Sequence, residues 1–194
     1  MTGRTARSYL RPLGVASAAL LATSVHGAEP STLTGEAIGV GPVRLNTLAT
    51  APIAIVLVDR TQADAATPVG VALNAVMVAH GGNRVSALDL SGLWRVTRPP
   101  ARLLMAEVRD LAIETIAQGY AARGQPVPDN MGTERAWLVA DWEGTWKAAL
   151  APECAGLAVA ILDEGLRPYR VLCEPTVDQA TAAFRAVLDV KRPN

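Results

Sequence analysis

The chain has 194 residues, 50% of them hydrophobic and 19% charged, with 18 basic and 18 acidic side chains. That composition excludes a disordered tail and a polybasic nucleic-acid binder. Two cysteines and two histidines are a thin supply for metal or redox chemistry.

The N-terminal residues carry a targeting pattern. Arg4, Arg7 and Arg11 form a positive start with no acid among them, and Leu13 to Val25 is an unbroken run of small and apolar residues. Val25-His26-Gly27 then offers small or neutral positions before Ala28. This is the layout of a secretory signal peptide over residues 1–27, cleaved after Gly27. The apolar run is about 13 residues, short of the ~20 that span a bilayer. No Cys follows to take a lipid, and no Arg-Arg pair marks a twin-arginine leader. The mature protein, residues 28–194, is therefore expected to be a single domain, periplasmic or secreted and not embedded in a membrane. The leader takes three arginines with it, so the basic total falls from 18 to 15 against 18 acids, a net charge of −3. A mildly acidic protein is a poor partner for nucleic acid or an anionic membrane.

Export also bears on Cys154 and Cys173. In an oxidising compartment an isolated pair is most often a disulfide, here closing a loop of about 20 residues. A displaced redox couple is the alternative reading.

Along the mature chain, Ala37 to Val40 and Val43 to Leu45 read as a hairpin around Gly41-Pro42. Pro52 to Val58 is continuously apolar and β-branched, as in a strand buried on both faces. Thr67-Pro68 reads as an N-cap followed by Pro at the first helical position, opening a helix to Ala79 with His80-Gly81-Gly82 closing it. Arg84 to Leu90 alternates as a strand. Pro99-Pro100 opens a helix to about Arg123 with an apolar stripe of Leu104, Val108, Leu111, Ala112 and Ile116. Gly124 to Gly132 is a loop. Ala136–Ala140, Leu157–Leu162 and Tyr169–Leu172 are strands, the last two a hairpin turning at Asp163-Glu164-Gly165. Thr176 and Gln179 form a capping box for a final helix with Val177, Ala180, Phe184, Val187 and Leu188 on one face. Strands that alternate with helices and then end in a hairpin plus helix argue an α/β three-layer domain.

That order resembles the thioredoxin-like fold in its exported, peroxiredoxin-like form. Residues 41–58 are similar to the family's opening hairpin and first central strand. Residues 138–150, with Asp141-Trp142-Glu143-Gly144, are similar to its strand, Asp-x-x-Gly turn and short helix. Residues 157–171 and 174–180 are similar to its last hairpin and closing capped helix. The periplasmic YtfJ-like subgroup, which lacks a CxxC motif, is the nearest resemblance. It implies a central mixed sheet with an N-terminal hairpin and a C-terminal β-hairpin plus helix. A different α+β exported domain packed by the same final helix is the alternative.

Redox-active members keep a nucleophilic Cys after the first central strand, at the N-terminus of the next helix, where dipole and free N–H groups stabilise a thiolate. Here that stretch, residues 59–68, holds no Cys. The cis-Pro expected near Ala155-Gly156 is also missing. The resemblance therefore implies a degenerate active site that binds a protein partner or a small ligand, with no cofactor and no metal. Asp59, Arg60, Thr61, Gln62, Asp64 and Thr67 are the candidate ligand-binding residues, because open α/β sheets bind ligands beyond the carboxyl ends of their strands. Trp142 beside the Gly144 turn is a candidate anchor for a partner, with packing of the turn onto the short helix as the favoured alternative. His80 is the only histidine of the mature chain and reads as a helix cap; alone it makes neither a His-rich zinc site nor a Ser-His-Asp triad. Two other readings stay open: a thiol-disulfide oxidoreductase or peroxidase using Cys154 and Cys173, and a structural envelope protein.

Overall fold

A computed structural model of the protein describes residues 29–48, 52–129 and 135–190. The leader expected over 1–27 lies outside the described residues, as does part of the loop expected over 124–132.

Strand β1 (Thr34–Ala37) pairs antiparallel with β2 (Gly41–Arg44), and a single helical turn, α1 (Leu45–Leu48), follows. The hairpin forms, but its turn is Ile38-Gly39-Val40, so Gly41 and Pro42 belong to the returning strand. Pro42 is tolerated there because β2 is the outermost strand of the sheet, where a missing N–H need not break a ladder.

Strand β3 (Ile53–Asp59) is buried on both faces, as its apolar run predicts. Ala54, Val56 and Val58 pack into one core, and Ile53, Ile55 and Leu57 into the other. The next helix, α2 (Ala63–His80), begins five residues before the expected first helical position, Pro68. Asp59 accepts the N–H of Thr61 at 2.7 Å and opens a 3-10 turn over Arg60–Gln62, which starts the helix early. Thr67 is thus no N-cap; its hydroxyl donates to Ala63 O (3.1 Å), and Pro68 lies inside the helix. Burial of Val69, Leu73, Val76 and Met77 against the sheet outweighs the one helical bond that Pro68 cannot make. Gly81, at φ 88°, ends the helix by donating to Met77 O (2.9 Å).

Strand β4 (Asn83–Asp89) lies parallel to β3, with Ile53 opposite Asn83 and Asp59 opposite Asp89. Helix α3 (Arg98–Ala121) departs from expectation in its orientation. Leu104, Val108 and Leu111 are exposed, Ala112 is half-buried, and the inward side chains are Met105, Ile116 and Tyr120. Periodicity finds a stripe without saying which way it faces. The inward face of α3 also carries arginines, each with a partner there: Arg98 with Glu143, Arg102 with Glu36, and Arg109 with Ile38 O (2.9 Å).

Strand β5 (Ala136–Asp141) runs parallel to β4, and α4 (Thr145–Leu150) follows. Strands β6 (Ala158–Leu162) and β7 (Pro168–Cys173) form the last hairpin. Helix α5 (Val177–Asp189) starts with the expected capping box: Gln179 N donates to Thr176 Oγ1 (3.3 Å), and Thr176 N to Gln179 Oε1 (3.0 Å).

The strands form one seven-stranded mixed sheet in the order β2-β1-β5-β4-β3-β6-β7. Helices α2, α3 and α5 lie on one face, where α2, α5 and the inner side of β3 and β6 make the larger core. Helices α1 and α4 lie on the other, around Leu45, Leu48 and the fully buried Trp146. This is the three-layer α/β architecture that the order of elements implied.

Candidate functional site

Three parallel strands end together, and each ends on an aspartate. Asp59, Asp89 and Asp141 stand opposite one another across β3, β4 and β5. Each carboxylate turns the chain by accepting a backbone N–H from the residues that follow: Thr61 (2.7 Å), Ser91 (2.9 Å) and Trp146 (2.8 Å). Short side chains that bond their own downstream backbone are what an abrupt strand exit needs.

The environments of the three differ. Asp59 also accepts the Thr61 hydroxyl (2.5 Å), and that bond holds its pKa below the usual carboxylate range, helped by the backbone of Thr61 and the charge of Lys147. Asp141 is 2% exposed; burial pushes its pKa up, and the neighbouring Asp89 carboxylate adds to this, against the N–H bonds of Trp146 and Thr145.

Above the ends of β3 and β4 is a cavity of about 190 Å³ lined by Asp59, Arg60, Thr61, Asp89 and the loop Leu90–Leu93. The turn beyond β5 closes against its edge. Gly144 has φ 68°, and a Cβ there would stand 3.0 Å from Ser91 Oγ and 3.3 Å from Asp89 Oδ1. Only glycine passes that point without strain.

A second cluster lies at the same end of the sheet, around Gly156. A Cβ on Gly156 would overlap Glu174 Oε1 and stand 2.9 Å from Gln62 Nε2, so this glycine is wedged between the residue after β7 and the turn after β3. Gln62 Oε1 is buried with no hydrogen-bond partner among the described residues. Lys147 on α4 donates to Ala155 O (3.0 Å). Beside them Cys154 and Cys173 form a disulfide, Cα–Cα 5.1 Å. Cys173 lies opposite Ala158 in the ladder, and Cys154 reaches it from the loop that precedes β6. Cys154 is buried in the apolar core at 6% exposure, whereas Cys173 is exposed.

The residues singled out from sequence separate into four places. Asp59, Arg60 and Thr61 line the cavity. Gln62 is not among the lining residues; its amide nitrogen lies beside Gly156. Asp64 and Thr67 are exposed on α2 and line neither. Trp142, a candidate partner anchor, is 9% exposed: its indole N–H donates to Glu36 Oε2 (2.7 Å), and the guanidinium groups of Arg98 and Arg102 stack on its ring at 5.0 and 5.2 Å. It is a packing residue that ties α3 and β5 to the N-terminal hairpin. His80 is the exposed last residue of α2, as a cap would be.

Asp89, Ser91, Lys147 and Glu174 belong to the site and were not singled out from sequence. Asp89 carried a signal, since it ends a strand as Asp59 does; the other three are brought in by tertiary packing. Among the described residues no group of three or more His, Cys, Asp or Glu is placed to hold a metal ion, and no helix is long and apolar enough to cross a membrane.

No protein-family model matches this sequence, and no curated protein matches it. Solved structures do. Peroxiredoxin Q from Xanthomonas campestris is 13% identical, with a TM-score of 0.52 over 84% of this chain and 94% of that one. The peroxidoxin BcpB from Mycobacterium tuberculosis is 14% identical, with a TM-score of 0.51 over 86% and 97%. The exposed lipoprotein thioredoxin of Streptococcus pneumoniae is 8% identical, with a TM-score of 0.51 over 79% and 98%. At such identities the likeness is one of architecture: the chain has a thioredoxin-like fold.

Proposed function

We propose that residues 28–194 are an exported, single-domain thioredoxin-like protein of the periplasm or extracellular space that binds a small ligand or a side chain of a protein partner and performs no thiol chemistry. The observation that carries this reading is the cavity at the ends of β3 and β4. It has two carboxylates, Asp59 and Asp89, an arginine, Arg60, and an apolar wall at Leu90 and Leu93. At the helix start that follows β3 stand Gln62, Ala63 and Asp64, with no thiol. Charges of both signs around so small a space suit a zwitterionic group, such as a free amino acid or the end of a peptide. The test is a thermal-shift screen of the protein with free amino acids and short peptides, repeated on Asp59→Ala and Arg60→Ala. A shift that both substitutions remove supports the reading. Absence of any shift across the screen overturns it.

The second reading, thiol-disulfide exchange, has one observation in its favour: Cys173 is exposed and its partner is not. A substrate thiolate would attack the Cys173 sulfur and expel Cys154 as the thiolate. Cys154 lies among apolar side chains, which raises a thiol's pKa and makes it a poor leaving group. Insulin reduction that disappears in Cys154→Ser would establish exchange and overturn the binding-only reading.

A further inference from the structure

Helix α3 and the turn before it leave an apolar surface uncovered by any described residue. Trp94, Val96, Leu103, Leu104, Val108 and Leu111 are between 52% and 80% exposed, within one stretch of chain. Scattered exposed apolar residues need no explanation, but six from one segment make a patch of the kind that marks an interaction surface. Leu104, Val108 and Leu111 stand at i, i+4 and i+7, which puts them in one row along the helix.

The charges of the same segment are sorted by position. Residues 94–102 contain Arg95, Arg98 and Arg102 and no acid; residues 103–118 contain Glu107, Asp110 and Glu114 against Arg109 alone. The positive end is the helix N-terminus, where arginines oppose the helix dipole. Arg98 and Arg102 are held by Glu143, Glu36 and the Trp142 ring, whereas Arg95 is exposed and has no ion pair among the described residues. Glu107 likewise has none, and Glu114 only accepts from Gln118 at 3.5 Å.

A surface whose first half is positive and second half negative, with exposed apolar residues along both, is complementary to itself turned end for end. We propose that a second copy of this chain covers it, with α3 packed antiparallel on the partner's α3 about a two-fold axis near Leu103 and Leu104. Those residues sit at the middle of the exposed run. Trp94 and Val96 then meet the partner's Leu111 and the partner's Val108, and Arg95 faces the partner's Glu114; Asp110 is already paired with Arg109 at 2.6 Å. Such an isologous contact makes every pairing twice. An anionic bilayer is disfavoured as the occupant, because the acidic row lies beside the apolar one.

The experiment is sedimentation equilibrium on the protein recovered after expression of the full chain. A reversible dimer that weakens with salt is expected. Leu104→Asp, at an exposed position that leaves the melting curve in place, raises the dimer Kd by more than about tenfold. Arg95→Glu and Glu114→Arg each weaken the dimer, and the two combined restore it. A protein that stays monomeric at every concentration, a dimer indifferent to Leu104→Asp, or a charge-swapped pair that fails to recover overturns the proposal. So does a monomer that sediments with phosphatidylglycerol vesicles.

Discussion

Cys154 and Cys173 tie the loop before β6 to the end of β7, and only Cys173 reaches solvent. The bridge spans 19 positions of sequence, and in the chain-entropy model a loop of that order stabilises by about 3 kcal/mol. Replacing both cysteines by serine is expected to lower the free energy of unfolding by that amount in urea titrations, and reductant should do the same to the wild type. Serine pairs that leave stability unchanged would show that the hairpin and Gly156 already hold this corner.

Glu36 accepts two bonds from Arg102, at 2.7 Å each, and one from the Trp142 indole. The Arg102 bond, seconded by that of Trp142 and set against partial burial, lowers its pKa below the ordinary 4.5. A depressed carboxylate stabilises the fold above its unfolded pKa and loses that contribution as pH falls through its folded value. Glu36→Gln should therefore cost about 1 kcal/mol at neutral pH, discounted for the exposure of Arg102, and nothing further in acid. The check is a comparison of melts at pH 7 and pH 3.

Asp141 has the opposite sign. Burial raises its pKa, so the folded state holds its proton more tightly than the unfolded chain does. Stability contributed by this group is greatest in acid and falls as pH rises from the ordinary 3.8 through the raised value. Asp141→Asn keeps an oxygen for the Trp146 N–H (2.8 Å in the wild type) and removes the titration. The stability of the wild type relative to the variant should fall over that interval, the other carboxylates being common to both. Curves that run in parallel would assign the effect elsewhere.

Gly144→Ala is expected to cost about 1–2 kcal/mol, from the positive φ and from the contact that a Cβ makes with Ser91. The same substitution should distort the cavity wall, so any ligand found for the site should bind the variant more weakly. Unaltered affinity in a stable variant would separate the turn from the site.

The layers and most elements of this fold could be read from residue order, because the apolar run of β3 and the capping box of α5 are local signals. The start of α2 could not, since the dipeptide Thr67-Pro68 carries a stronger local signature than the Asp59 turn that starts the helix. Nor could the facing of α3: its arginines look solvent-bound until Glu36, Glu143 and Ile38 O are brought to them by the sheet. The cavity was half legible. Asp59, Arg60 and Thr61 follow from the strand end, but Asp89 and the Leu90–Leu93 loop join them only because β4 lies parallel to β3 in register.

The N-terminal hairpin joins the sheet through a short ladder, Glu36 with Ala140 and Ala37 with Val139, extended by Ile38 N donating to Leu138 O (2.9 Å). Side chains of other elements add to its attachment: Arg102 on Glu36, Arg109 on Ile38 O, and the Trp146 indole donating to Thr34 O at 2.8 Å. Strands β3 and β4, by contrast, share seven pairs. Such a hairpin can peel away as a unit while the central strands stay folded, so its amide protons should exchange with solvent well before those of β3. In that opening Trp146 loses its carbonyl partner, and the indoles of Trp142 and Trp146 become built-in reporters of the first step by which this molecule comes apart.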